Sequence, residues 1–83
     1  EDAIIGKTLD GIITSWNPGA EWFYGWSQAE AVGRPISLIV PADRHDELEG
    51  IMVRLRRGER VLHHETVRVR KDGTRVDVSL TIS

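Results

Sequence analysis

The stretch NPGAEWFYGWSQAEAVGRP, residues 17–35, decides the fold of this chain of 83 residues. Its first part predicts a short helix that begins at Pro18 and ends at Gly25. The side chain of Asn17 can accept a hydrogen bond from a free amide of the first helical turn, and proline suits that turn. Glycine is the residue that most readily adopts the left-handed conformation that ends a helix.

The second part of the stretch predicts another short helix directly after the first. Ser27 and Glu30 have the three-residue spacing of a capping box, in which each side chain bonds the backbone amide of the other residue. Gly33 ends this helix, and Pro35 opens a further helical turn over residues 35–40. The chain therefore passes through compact helices with almost no linker residues.

β-hairpins are predicted on both sides of these helices. Upstream, Asp10–Gly11 is a two-residue turn signal between residues 3–9 and the β-rich run 12–16. Downstream, the turn at residues 71–74 separates a strand that starts at Val61 from a strand of strict period two. The apolar positions of that last strand are predicted to face the interior: Val76, Val78, Leu80 and Ile82.

One long helix is predicted between the hairpins, over residues 43–57. Leu48, Ile51, Met52 and Leu55 fall at i, i+3, i+4 and i+7 and form one apolar stripe. Acidic residues lie in its first turn and basic residues in its last turn, and each set complements the helix dipole. The charges are therefore interpreted as features of the helix ends rather than as a docking surface.

Composition excludes several function classes. The chain has 11 basic and 13 acidic side chains that are interspersed, so no concentrated basic face points to nucleic acid. It has no cysteine, which excludes disulfides, thiolate metal sites and thiol nucleophiles. The longest apolar run, residues 36–40, is far too short to span a membrane.

Three motifs together resemble the PAS domain of the bacterial S-box type. They are D-G-x-I-x-x-W-N at residues 10–17, G-x-S-x-x-E-x-x-G-R-P at residues 25–35 and R-K-D-G-T at residues 70–74. The resemblance implies an α+β fold in which short helices and one long helix cover one face of a five-stranded antiparallel sheet. Residues 1–83 are expected to form a single such domain that lacks its last, central strand, which leaves two unpaired strand edges.

The resemblance also implies an interior pocket between the sheet and the helices. Pockets of this kind are mostly apolar with a few polar groups. The candidate pocket residues are Trp22, Trp26, Leu48, Ile51, Met52, Leu55, Val67, Val76, Val78, Leu80 and Ile82.

No cofactor is predicted for that pocket. PAS proteins that sense oxygen through haem carry the iron-ligating histidine about one turn into the long helix. Aligning Pro41 and Arg44 with the family residues places Glu47 or Leu48 there, and His45 is interpreted as a solvated residue. The light-sensing subclasses that use a cysteine are excluded. Non-covalent flavin, stacked on Trp22 and Trp26, stays an open alternative, as does haem.

No metal or catalytic site is predicted either. His63 and His64 are neighbours in a strand, so their side chains point to opposite faces and cannot bind one ion. The tract His63–His64–Glu65 is interpreted as polar residues on a sheet. The sequence contains no nucleophile elbow, dinucleotide-binding or phosphate-binding motif.

The resemblance implies a cytoplasmic bacterial signal-transduction protein, such as a sensor histidine kinase or a cyclic-dinucleotide enzyme, whose output domain lies outside this chain. Two readings stay open: a sensor that binds an unknown small molecule, and a ligand-free spacer for dimerisation and signal transmission. A fragment of an enzyme is a third. Neither nucleic acid nor a membrane span is expected. Because exposed strand edges pair readily, a homodimer through the sheet face or edge is expected.

Overall fold

The structure is a computed structural model that describes residues 2–82 of the chain. It is an α+β arrangement of antiparallel strands with short helices and one longer helix, as the sequence predicts. Two 3₁₀ turns, Ile36–Ile39 and Ala42–Arg44, precede the longer helix. The strands and α-helices are β1 Ile5–Lys7, β2 Ile13–Trp16, α1 Pro18–Tyr24, α2 Gln28–Ala31, α3 His45–Arg56, β3 Val61–Val69 and β4 Arg75–Ile82.

The strands form two separate antiparallel hairpins. β1 pairs with β2, and β3 pairs with β4. Within the described residues no hydrogen-bonded ladder joins one hairpin to the other. Each hairpin therefore has a strand edge that lacks a partner strand among residues 2–82. The backbone groups of such an edge can pair with another extended segment.

The helix caps are confirmed. The side chain of Asn17 accepts a hydrogen bond of 2.8 Å from the amide of Ala20, and α1 ends at Gly25, whose φ is 86°. Ser27 and Glu30 form the reciprocal capping box at the start of α2. These caps satisfy amides that a short helix would otherwise leave without a partner.

The helical segment is fastened to the free edge of β2. Ile13 donates to the carbonyl of Arg34 at 2.9 Å, and Gly33 donates to the carbonyl of Ile13 at 2.8 Å. Ile12 also forms an isolated antiparallel bridge with Pro35. The residues after α2 thus serve as a short partner for β2, which fixes the helices over the first hairpin.

The tightly packed core lies against this first hairpin. Its fully buried members come from β2, the two short helices and the first 3₁₀ turn: Ile13, Trp16, Ala20, Tyr24, Ala31, Ile39 and Val40. The apolar side chains of β4 face inward as predicted but are only half-buried. The apolar side chains of β4 and α3 therefore face the interior as predicted, but the most deeply buried side chains lie around β2.

The longer helix is shorter than predicted. α3 covers the 12 residues His45–Arg56, because residues 42–44 form a 3₁₀ turn instead of its first turn. The predicted apolar stripe faces inward, with Ile51 and Met52 buried and Leu48 and Leu55 half-buried. A 3₁₀ turn is tighter than an α-helical turn, and it brings the chain from the core segment into α3 within a few residues.

A β-bulge in β3 reverses the faces that a regular strand would have. Val61 pairs with Ile82 and His64 pairs with Leu80, so β3 contains one residue more than β4 between these two pairs. His63, inside the irregular segment, has a φ of 49°. Because a shift by one residue exchanges the two faces of a strand, the even-numbered residues after the bulge face inward.

The bulge overturns the prediction that Val67 lines the interior pocket. Val67 pairs with Asp77 and lies on the opposite face of the sheet from the inward pairs Thr66 with Val78 and Arg68 with Val76. Thr66 and Arg68 are the buried residues of this part of β3. An alternation of valine with arginine predicts buried valines, but here the arginine is buried.

Asn17 is expected to contribute more stability than an ordinary cap. Besides capping α1, it accepts from the amide of Ile4 and donates to the carbonyl of Asp2, both at 2.8 Å. Asn17→Ala removes all three bonds and should lower the free energy of unfolding by about 2 kcal/mol, whereas Ser27→Ala, the other cap, should lower it by about 1 kcal/mol. Urea denaturation of the two variants measures the difference. Equal losses of stability in the two variants would show that the bonds of Asn17 to Asp2 and Ile4 contribute nothing.

Candidate functional site

An interior cavity of about 80 Å³ lies between the two hairpins, α3 and the first 3₁₀ turn. Most of its wall is aliphatic, and three residues with polar side chains also line it: Lys7, Tyr24 and Arg68. The aliphatic residues of the wall are Ile5, Ile36, Ile39, Val40, Leu48, Ile51, Leu80 and Ile82.

The carboxylate of Glu47 connects α3 with the inner face of β3. Its Oε1 accepts a hydrogen bond of 2.9 Å from Nη1 of Arg68, and the hydroxyl of Thr66 lies 2.6 Å from its Oε2. Arg68 is only 3% exposed and the Glu47 side chain 20% exposed. The pair is therefore largely withdrawn from water, where removal of one partner leaves a poorly solvated charge.

The contacts hold Glu47 in its charged form. Burial alone would raise the pKa of Glu47, but the hydrogen bonds from Thr66 and Arg68, with the positive charge of Arg68, outweigh burial and lower the pKa to about 2. A charged Glu47 in turn compensates the buried guanidinium of Arg68. Each of the two groups thus stabilises the other in its ionised state.

His64 is the third β3 residue at this carboxylate. Its Nε2 lies 3.5 Å from Oε2 of Glu47, which is too long for a good hydrogen bond, and the atom has no hydrogen-bond partner among residues 2–82. The contact arises because the bulge turns His64 inward, a placement that the sequence does not reveal. Within the described part of the chain, no three metal-ligating side chains converge.

The turn of the second hairpin is held to the helical segment by a separate set of contacts. The backbone amide of Lys71 donates to the carbonyl of Tyr24 at 2.9 Å, and its ammonium lies 2.7 Å from Oε2 of Glu30. The same ammonium lies 5.1 Å from the centre of the Trp26 ring. The hydrogen bond from Lys71 is the main cause that lowers the pKa of Glu30 to about 2, and the amide of Ser27 adds to it.

The structure brings four of the eleven predicted pocket residues to the cavity: Leu48, Ile51, Leu80 and Ile82. Met52 is buried, with its methyl group 3.9 Å from the position that a Cβ would take at Gly11. Leu55 lines a separate groove beside the cavity. Val76 and Val78 are half-buried on the inward face of β4 outside the cavity wall. Whether any of these residues binds a ligand stays a prediction.

The two predicted aromatic residues do not line the cavity. Trp22 is 80% exposed, and it lies at an open groove of about 610 Å³ between Asp2–Ile4 and residues 77–81 of β4. Trp26 is half-buried, and its carbonyl accepts a hydrogen bond of 2.9 Å from Nε1 of Trp16. Both were candidate pocket residues, and neither belongs to the wall of this cavity.

The volume of the cavity limits what it can hold. Pockets that bind drug-sized ligands measure about 300–1,000 Å³, and this one measures about 80 Å³. A flavin or a haem would require the lining to move apart. His45 is exposed, with its Nε2 3.3 Å from the carbonyl of Val40, and it is not among the residues of the cavity wall.

Sequence reasoning missed the polar part of the site. Lys7 and Arg68 were not candidates, because charged residues in strands usually face solvent. Tyr24 falls within the first predicted helix and was not a candidate for the pocket. One signal could have found Arg68: Glu47 lies next to the apolar stripe of α3, where a carboxylate needs a buried partner.

The comparisons with known proteins agree on one family. The model of the PAS-fold family matches residues 1–83, the whole chain. Seventeen chains of solved structures match, and among them is the crystal structure of the PAS domain of a protein from Colwellia psychrerythraea, with a TM-score of 0.84 and 25% sequence identity. That match covers 94% of this chain and 66% of the other, so the chain spans just under two thirds of its length. No curated protein matches at the same significance. Within residues 2–82 there is no helix of the length and apolarity that crossing a membrane requires.

Glu47→Gln is expected to destabilise the protein strongly, because it leaves the buried Arg68 without its counter-charge. The free energy of unfolding at pH 7 should fall by about 3 kcal/mol. Glu49→Gln is the matched control on the same helix. The Glu49 side chain is 69% exposed, and its ion pair with Arg56, at 3.5 Å, lies at the surface. It should change stability by less than about 0.5 kcal/mol.

The pH dependence gives a second readout of the same pair. A carboxylate with a lowered pKa contributes its full stability above its unfolded pKa of about 4.3 and loses it as the pH falls through the folded value. The stability difference between the wild type and Glu47→Gln should therefore shrink as the pH falls from about 4.3 towards the folded value of about 2. A difference that stays constant over this range would contradict the ion pair.

Proposed function

The chain belongs to the PAS family, and on this premise we propose that it is the sensor or relay module of a bacterial signalling protein. Its output domain is proposed to be a histidine kinase or a cyclic-dinucleotide enzyme in the cytoplasm, outside residues 1–83. The observation that carries the proposal is the position of Arg68. It lines the cavity and is also ion-paired with Glu47 on α3.

Such an arrangement supports sensing because occupancy of the cavity can change the link between α3 and β3. A ligand shifts a two-state equilibrium only when it binds one state better than the other. An anion that contacts Arg68 shares the positive charge of the guanidinium with Glu47 and so weakens the attraction between Glu47 and Arg68. The weakened ion pair would favour a different position of α3 relative to the second hairpin, and that difference would pass to the output domain.

A ligand-free spacer for dimerisation and transmission is the second candidate. The volume of about 80 Å³ favours it, since a cavity this small is close to being filled by its own side chains. In both candidates the chain itself performs no catalysis. An enzyme fragment is the weakest alternative, because the charged residues that converge in residues 2–82 are already engaged with one another.

We also propose that the sheet is completed at the groove between the two hairpins. The groove runs between Asp2–Ile4 and residues 77–81 of β4, whose outer edge has no partner strand among residues 2–82. The free N–H and C=O groups of such an edge are a ready template for another extended segment. A second copy of the chain is the proposed partner, and a further strand of the same chain is the alternative.

Native mass spectrometry and an absorption spectrum of the intact protein, purified without denaturation, distinguish the sensor from the spacer. The sensor predicts an added mass that is lost on denaturation. Leu48→Phe, which fills the cavity, should abolish this mass, whereas Leu62→Phe on the outside of β3, where Leu62 is 55% exposed, should keep it. The spacer would be supported if the protein carries no added mass and the activity of the output domain is the same in both variants.

A further inference from the structure

Lys7 carries a positive charge that no protein group within residues 2–82 compensates. β1 alternates so that Ile5 and Lys7 line the cavity. No carboxylate of residues 2–82 forms a salt bridge with Lys7, although every other interior charge has a partner. Burial lowers the pKa of the Lys7 ammonium. A half-buried ammonium without a counter-ion is costly, and a bound anion would remove this cost.

Arg68 offers further hydrogen-bond donors to the cavity. Its Nη1 donates to Glu47 and to the carbonyl of Val67, both at 2.9 Å. The hydrogen bonds of Arg68 within residues 2–82 all use this nitrogen, so Nε and Nη2 have no protein partner there. Glu47 neutralises Arg68 but not Lys7, so the cavity wall keeps one positive charge. A guanidinium can bind two carboxylates at once, since it has five N–H donors.

Tyr24 is the third polar residue of the cavity wall. Its ring is buried in the core, and the residue also lines the cavity. Burial raises the pKa of the Tyr24 hydroxyl, and the nearby charge of Arg68 lowers it by less, so the hydroxyl keeps its proton at neutral pH. A protonated phenol can donate a hydrogen bond to an anion.

The remaining wall restricts the anion to a small one with an apolar body. Side chains of Ile36, Ile39, Leu48, Ile51 and Leu80 surround the rest of the space, and none of them offers a polar group. The volume of about 80 Å³ is well below the roughly 300–1,000 Å³ of pockets for drug-sized ligands. This suits a molecule of a few heavy atoms with one charged end.

We propose that the cavity binds a short-chain aliphatic monocarboxylate, with Lys7 as its counter-ion and Arg68 and Tyr24 as hydrogen-bond donors. The proposal rests on the sensor function proposed above and names the ligand class. The carboxylate shares the guanidinium of Arg68 with Glu47, while its alkyl group contacts the aliphatic wall between α3 and β4. Binding thereby weakens the attraction between Glu47 and Arg68, which links α3 to β3.

Isothermal titration calorimetry of the intact protein tests this directly. The probes are sodium formate, acetate, propionate and butyrate, with sodium chloride at equal ionic strength as the reference. At least one carboxylate should bind saturably while chloride does not. Lys7→Gln should weaken that binding about tenfold or more, and Lys7→Arg should restore most of it. Arg34→Gln removes an exposed charge outside the cavity and should leave the affinity unchanged.

A second measurement works without any variant, in case Lys7→Gln does not fold. Nuclear Overhauser effects should connect the methyl group of bound propionate with methyl groups of Ile51 and Leu80. No saturable binding of any of the four carboxylates, or binding without these contacts, overturns the carboxylate proposal. If native mass spectrometry then shows a different small molecule, the proposed sensor function stands although the carboxylate proposal fails. If nothing is bound and filling the cavity does not change the activity of the output domain, both proposals fail.

Discussion

The carboxylate of Glu47 is the constraint on which the rest of this structure depends. It lies on α3 and receives hydrogen bonds from Thr66 and Arg68 on β3. Because Arg68 is 3% exposed, it could not stay in the interior without this counter-charge. The pair fixes α3 against the second hairpin and places a guanidinium at the wall of the cavity, so one interaction serves both the fold and the candidate site.

The two hairpins are joined to the helices by different kinds of force. Apolar burial holds the first hairpin, since Ile13 and Trp16 of β2 belong to the tightly packed core. The second hairpin relies more on charged contacts, which include Lys71 with Glu30 and Arg75 with Asp43. Exposed ion pairs contribute little, so the largely buried pair of Glu47 and Arg68 is the strongest of these links. A hairpin held in this way is suited to change position when a ligand alters that pair.

Local chemistry explains which features could be predicted from the sequence. Caps depend on a few neighbouring residues, so Asn17 and the box of Ser27 and Glu30 could be recognised without knowledge of the fold. The inward face of β4 followed from its strict alternation. The face of β3 could not be predicted, because the bulge at His63 depends on pairing with β4 and exchanges the two faces. The site was missed for that reason: Val67 was expected inside, where the structure places Arg68.

A double-mutant cycle with Glu47→Gln and Arg68→Met tests the central role of this pair most directly. The free energies of unfolding of the wild type, both single variants and the double variant give the coupling energy between the two side chains. We expect a coupling of about 2 kcal/mol, with the double variant more stable than Glu47→Gln alone, because methionine removes the uncompensated buried charge. Additive effects within about 0.5 kcal/mol would contradict it, since they would show that α3 and β3 are held together without this ion pair.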